Sequence, residues 1–101
     1  MENWMIGGHI CSQHAQKRMQ QRGIKKQTVE TILLYADKTA HCKGATSSIF
    51  LSKKAGRKLL IKKVVSPALM ERALNLIVLI ANDVIVTVYP RRKGRLKFSE
   101  M

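Results

Sequence analysis

The stretch Leu74-Asn75-Leu76-Ile77-Val78-Leu79-Ile80-Ala81-Asn82-Asp83-Val84-Ile85-Val86-Thr87-Val88-Tyr89 decides the fold. Two runs rich in β-branched residues, Leu74 to Ala81 and Val84 to Tyr89, flank an Asn-Asp pair that tolerates the left-handed backbone of a two-residue turn. The pattern predicts a tight antiparallel hairpin forming the central strands. Strict alternation places Ile85, Thr87, Tyr89 and, if the strand continues past Pro90, Arg91 on one face. Val84, Val86 and Val88 then take the other, which reads as the core face.

Upstream of the hairpin, Ser66-Pro67 supplies an N-cap and an N1 proline for a short helix through Ala73. The segment from Lys53 to Val65 reads two ways: Leu59, Leu60, Ile61, Val64 and Val65 suit a strand, while Ser52 suits a helix N-cap. Gly56 speaks against the helix. Thr39 to Lys43 and Thr46 to Leu51 form a second hairpin around Gly44. Nearer the N-terminus, Ser12 caps a helix that Gly23 ends, with Ala15 and Met19 as its apolar stripe. A second helix runs from about Lys25 to Asp37, where Val29, Ile32, Leu33 and Ala36 recur at helical spacing and Ile24 packs ahead of them.

These 101 residues are read as one domain, 1–101, with a flexible lead over 1–9 and a basic tail over 91–101. Hydrophobic residues make up 46% of the chain, enough to build a core, which argues against disorder despite the charge. Lys and Arg number 19 against 6 Asp and Glu, a net charge of +13. The natural partner is therefore a polyanion or an anionic surface. Neither the layout of the first ten residues nor any apolar run fits a secretory signal or a membrane span. Cys11 and Cys42 read as reduced thiols, so the expected compartment is cytoplasmic, without membrane association.

Chemistry gathers first on the N-terminal helix. His14, Arg18 and Arg22 fall at about 0°, 40° and 80° around its axis, a single row bordering the apolar stripe. An imidazole for proton transfer and cations for a phosphate are what metal-independent RNA cleavage needs, and a small α+β fold is expected to bring Thr87 and Tyr89 to them. Each residue also has a plain structural use: His14 in a first helical turn, Arg18 and Arg22 as solvated surface, Thr87 and Tyr89 as good strand formers. Tyr89 also suits stacking on a base, which binds without cleaving. Cys11-x-x-His14 and His41-Cys42 carry ligand chemistry, but adjacent strand residues point to opposite faces, so no metal site and no cofactor are expected. His9 reads as exposed near the chain end. In the middle of the chain Lys43, Lys53, Lys54, Arg57, Lys58, Lys62 and Lys63 have no acidic residue among them. With Arg91 and Arg92 they read as contacts to a nucleic-acid backbone.

The run His14-Ala15-Gln16-Lys17-Arg18-Met19-Gln20-Gln21-Arg22-Gly23-Ile24, with Leu33-Leu34-Tyr35 after it, resembles a small uncharacterised bacterial domain family carrying a His-Ala-x-x-Arg-Met-x-x-Arg-Gly-Ile signature. Phe50-Leu51-Ser52-Lys53-Lys54-Ala55 and Val84-Ile85-Val86-Thr87-Val88-Tyr89 resemble the family's basic middle segment and terminal strand. The resemblance implies a helix at Lys53 to Val65 and a distant relationship to RelE-like and barnase-like toxin ribonucleases. It implies His14 as acid/base, Arg18 and Arg22 as phosphate contacts, and Thr87 on the active-site strand. This chain departs from the family in having Tyr89-Pro90-Arg91 where a Gly-His-Arg often follows, so a second histidine is missing. Tyr89 stands there instead, and an unperturbed phenol near pKa 10 is a poor acid-base group at neutral pH.

The combined expectation is an α+β domain: an N-terminal helical pair, then a small antiparallel sheet with an inserted basic helical segment, in the approximate order ααββααββ. Its expected role is nucleic-acid-directed, as a toxin-like metal-independent ribonuclease with RNA favoured over DNA. Non-catalytic RNA or DNA binding is the alternative, as is docking of an acidic protein partner such as an antitoxin.

Overall fold

The structure, a computed structural model, describes residues 4–42 and 44–91. Lys43, Arg92 and the rest of the basic tail lie outside the described residues. The elements in chain order are β1 (Trp4–Ile6), β2 (His9–Cys11), α1 (Gln13–Arg22), α2 (Lys26–Tyr35), β3 (Lys38–His41), β4 (Thr46–Phe50), α3 (Lys53–Ile61), α4 (Pro67–Leu74), β5 (Leu76–Ala81) and β6 (Val84–Pro90). This is the expected α+β order preceded by one more hairpin. Residues 4–9, read from sequence as part of a flexible lead, instead supply the edge strand β1 and open β2. Ile6 is buried in the core, and His9 is half-buried with its Nδ1 3.2 Å from the carbonyl oxygen of Asp83. Three-residue strands are too short to show a period of two, which is why the hairpin left no pattern in the sequence.

The six strands form one sheet in the order β1-β2-β6-β5-β4-β3, antiparallel except where β2 runs parallel to β6. Asn82 and Asp83 both adopt positive φ, 50° and 63°, the backbone that a two-residue turn between right-twisted strands requires. Helices and sheet share a single core containing Ala15, Met19, Val29, Ile32, Met70 and Leu74 with Val78, Ile80, Ile85 and Val88. The helices therefore cover one face of the sheet and leave the other open.

One irregularity resets the faces of the last strand. Leu79 pairs with Thr87, but the next residue of β5, Ile80, pairs with Ile85, so Val86 is an extra residue in β6. A bulge of this kind breaks the alternation. Ile85 and Val88, three apart, are both fully buried, while Val84 and Val86 are half-buried. The predicted valine core face thus holds for Val88 but not for Val84 and Val86, and the grouping of Ile85 with Thr87 and Tyr89 is corrected: Thr87 and Tyr89 lie on the open face and Ile85 on the core face.

Local signals set the helix ends. Ser12 Oγ accepts from the Ala15 amide at 3.1 Å, and Gly23, at φ 66°, closes α1, with the Ile24 amide donating back to Met19 O at 2.8 Å. Lys53–Ile61 is a helix, capped by Ser52, whose hydroxyl accepts from the Ala55 amide at 3.1 Å. Gly56, which had argued for the strand, sits where α3 meets α4. A Cβ there would come within 3.0 Å of Leu74 Cδ2 and Met70 Sδ. Its small size is a packing requirement, and the helix tolerates the conformational cost.

Candidate functional site

Ser12 joins the first helix to the last strand. Chain pairing between β2 and β6 ends there: the Ser12 amide donates to Ile85 O at 3.0 Å and its hydroxyl donates to Val86 O at 2.9 Å while capping α1. The carbonyls exposed by the bulge therefore anchor the start of the helix that carries His14. Gln16 adds a bond from its Nε2 to Cys11 O at 3.0 Å, fixing the first turn.

Along α1, His14 is exposed, Arg18 half-buried and Arg22 exposed. His14 and Arg18, one turn apart, share a groove of about 180 Å³ with Lys17 and Gln21. Arg22 does not line this groove. It stands eight positions beyond His14, roughly 12 Å along the axis, and lines a larger cavity of about 360 Å³ with Lys25, Thr28 and Arg72. The structure thus divides the predicted row in two. Lys25, Thr28 and Arg72 escaped the sequence reading, because Arg72 reaches the cavity from α4, and no spacing rule relates it to Arg22.

Thr87 and Tyr89 line neither space. Tyr89 pairs with Ile77, and its hydroxyl lies 3.5 Å from Ser48 Oγ, which in turn lies 3.5 Å from Cys42 Sγ. Arg91 is engaged inside the fold. Its amide donates to Asn75 O at 2.9 Å, its guanidinium donates to Leu51 O, and it lies 4.8 Å from the centroid of the Phe50 ring. Burial works against the Arg91 charge, with Asp37 opposing that effect. Asp37 itself accepts from the Ser52 amide at 2.8 Å and the Ser52 hydroxyl at 2.6 Å. Partial burial disfavours its charge, but these bonds, with help from Lys38, hold the carboxyl below the usual carboxylate range.

In the middle segment Lys54, Arg57, Lys58 and Lys62 are exposed, whereas Lys53 is buried at 8% exposure. None of these five lines the His14 groove or the larger cavity. The thiol and imidazole of Cys11-x-x-His14 are also separated. Cys11 is buried, its thiol pushed up by that burial against a smaller pull from Lys26, and His14 faces outward. His41 bonds across the strands with Ser47 Oγ at 3.3 Å. Among the described residues, no three His, Cys, Asp or Glu side chains come together to hold an ion, and no helix is long and apolar enough to cross a membrane.

Fold and site together define a small α+β domain, its sheet covered on one face by helices, with a cationic groove and cavity at α1. The chain belongs to the family of domains of unknown function DUF4258, whose profile matches residues 11–90, from the last residue of β2 through β6. No curated protein and no solved structure matches the chain.

Proposed function

We propose that the protein is nucleic-acid-directed and holds the phosphate backbone of single-stranded RNA along the outer face of α1. The observation that carries this reading is the groove in which Lys17 and Arg18 flank His14 and Gln21 with no carboxylate in the lining. Cations gathered without acidic neighbours attract phosphates independently of sequence, and the chain's net charge of +13 extends that field. Anisotropy of a labelled RNA in EDTA tests it: affinity falls steeply with salt, and Arg18→Gln weakens binding about tenfold, the scale of one charge-assisted hydrogen bond. Absence of measurable affinity at low salt overturns the reading.

Metal-independent cleavage is the second reading, favoured by His14 and Arg18 sharing that groove. An imidazole beside a phosphate-binding cation provides proton transfer and charge neutralisation without a metal. The distant relationship to toxin ribonucleases that the sequence resemblance implies points the same way. RNA incubated with the protein in EDTA is then cut, and His14→Ala abolishes cutting. Intact RNA, or cutting unchanged by His14→Ala, removes catalysis and leaves binding.

A further inference from the structure

We propose that the cavity between the end of α1, the first turn of α2 and the last turn of α4 is a phosphate-binding site, in which Arg22, Lys25 and Arg72 supply charge and the Thr28 hydroxyl a directed hydrogen bond. Three cations from separate elements converge on this one cavity, and no carboxylate lines it. None of the three makes an ion pair among the described residues. Glu71 precedes Arg72, but consecutive helix positions do not face each other. Like charges around one cavity repel one another, and an anion placed among them removes that repulsion.

The second observation is Thr28. It is only 3% exposed, it lines the cavity, and its hydroxyl makes no hydrogen bond among the described residues. Thr31, one turn further along the same helix, behaves as a buried helical threonine ordinarily does and donates back to Gln27 O at 2.8 Å. Among the described residues only Arg91 Nε and Nη1 are buried side-chain polar atoms without a partner, so the Thr28 hydroxyl is reached from the cavity and is placed to donate to an oxyanion there. Ile24 and Leu76 give the cavity an apolar wall, and its volume of about 360 Å³ lies at the low end of the roughly 300–1,000 Å³ range of small-ligand sites.

Because Arg22 is roughly 12 Å along α1 from His14, a phosphate here is a different one from that at the His14 groove. The site deepens the nucleic-acid reading and rests on it only for the source of the phosphate, a strand crossing α1 or a free nucleotide. Amide NMR shifts of the full chain, titrated with inorganic phosphate, uridine 5′-monophosphate and a short 2′-O-methyl oligoribonucleotide, test it. Saturable shifts at Gly23, Gln27 and Thr28 are expected. Arg72→Gln should weaken binding about tenfold and Thr28→Val several-fold, each with an otherwise unchanged spectrum. Tighter binding of the oligonucleotide than of the mononucleotide identifies a strand as the source, and equal binding identifies the free nucleotide. No saturable shift with any probe, or affinity unmoved by both substitutions, overturns the site. Shifts confined to His14, Lys17 and Arg18 would leave the RNA reading standing and remove this one.

Discussion

The helical side and the open face of the sheet handle their polar groups in opposite ways. On the sheet, Cys42, Ser48 and Tyr89 lie within hydrogen-bonding reach in a chain, and near its edge Arg91 is held by Leu51 and the Phe50 ring. Around α1, α2 and α4 the reverse holds: Arg22, Lys25 and Arg72 line a cavity that has no carboxylate in its lining, and Thr28 lines it with them. Among the described residues the buried side-chain polar atoms without a partner are Arg91 Nε and Nη1, so Arg91 is held by Leu51 O and the Phe50 ring at the cost of two unsatisfied donors. The positive charge thus faces an open concavity at Arg22, Lys25 and Arg72 and is drawn into the fold at Arg91.

The largest expected effect concerns the two faces of β6. Ile85→Ala should destabilise the fold by about 2–5 kcal/mol, as truncation of a fully buried isoleucine does, and Thr87→Ala on the open face by about 1 kcal/mol or less. Urea unfolding of the two variants reads this directly, and equal losses would erase the distinction between the faces. Next, Tyr89→Phe removes only the hydroxyl facing Ser48 and should leave RNA affinity within about twofold, against the roughly tenfold expected for Arg18→Gln. A larger loss from Tyr89→Phe than from Arg18→Gln in the anisotropy titration would move the site to the sheet.

The smallest effect is a pH dependence at Asp37. Its carboxyl is depressed in the folded state, so the stability it contributes is present above its unfolded value, near about 3.9, and is lost as pH falls through the lower folded value. Thermal melts of Asp37→Asn should therefore fall below those of the parent at neutral pH and converge with them in acid. A gap that stays constant down to pH 2 would show that the carboxylate charge is not what links Asp37 to Ser52.

Much of the fold was legible because its signals are local. Ser12, Ser52 and Ser66 each cap the helix that follows, Gly23 ends α1, and Asn82-Asp83 turns the last hairpin. The N-terminal hairpin was hidden because its strands hold three residues each and are stabilised by a partner at the far end of the chain. Gly56 was misleading in isolation, since its value depends on Met70 and Leu74 pressing against it. For the site, the row on α1 was readable from helical periodicity, but its separation into a groove and a cavity was not.

By itself, then, the sequence determined the starts of α1 and α4, the end of α1 at Gly23, the turn at Asn82-Asp83, the apolar stripe of α1 and the cationic character of its exposed face. Caps, turns and periodicity act over a few residues, and charge composition needs no fold at all. Tertiary structure alone decided that a bulge at Val86 turns Ile85 inward and leaves Thr87 and Tyr89 on the far face. It also decided that Arg72 meets Arg22 and Lys25 beside Thr28. Both outcomes depend on register and packing between elements distant in the chain, which no local pattern encodes.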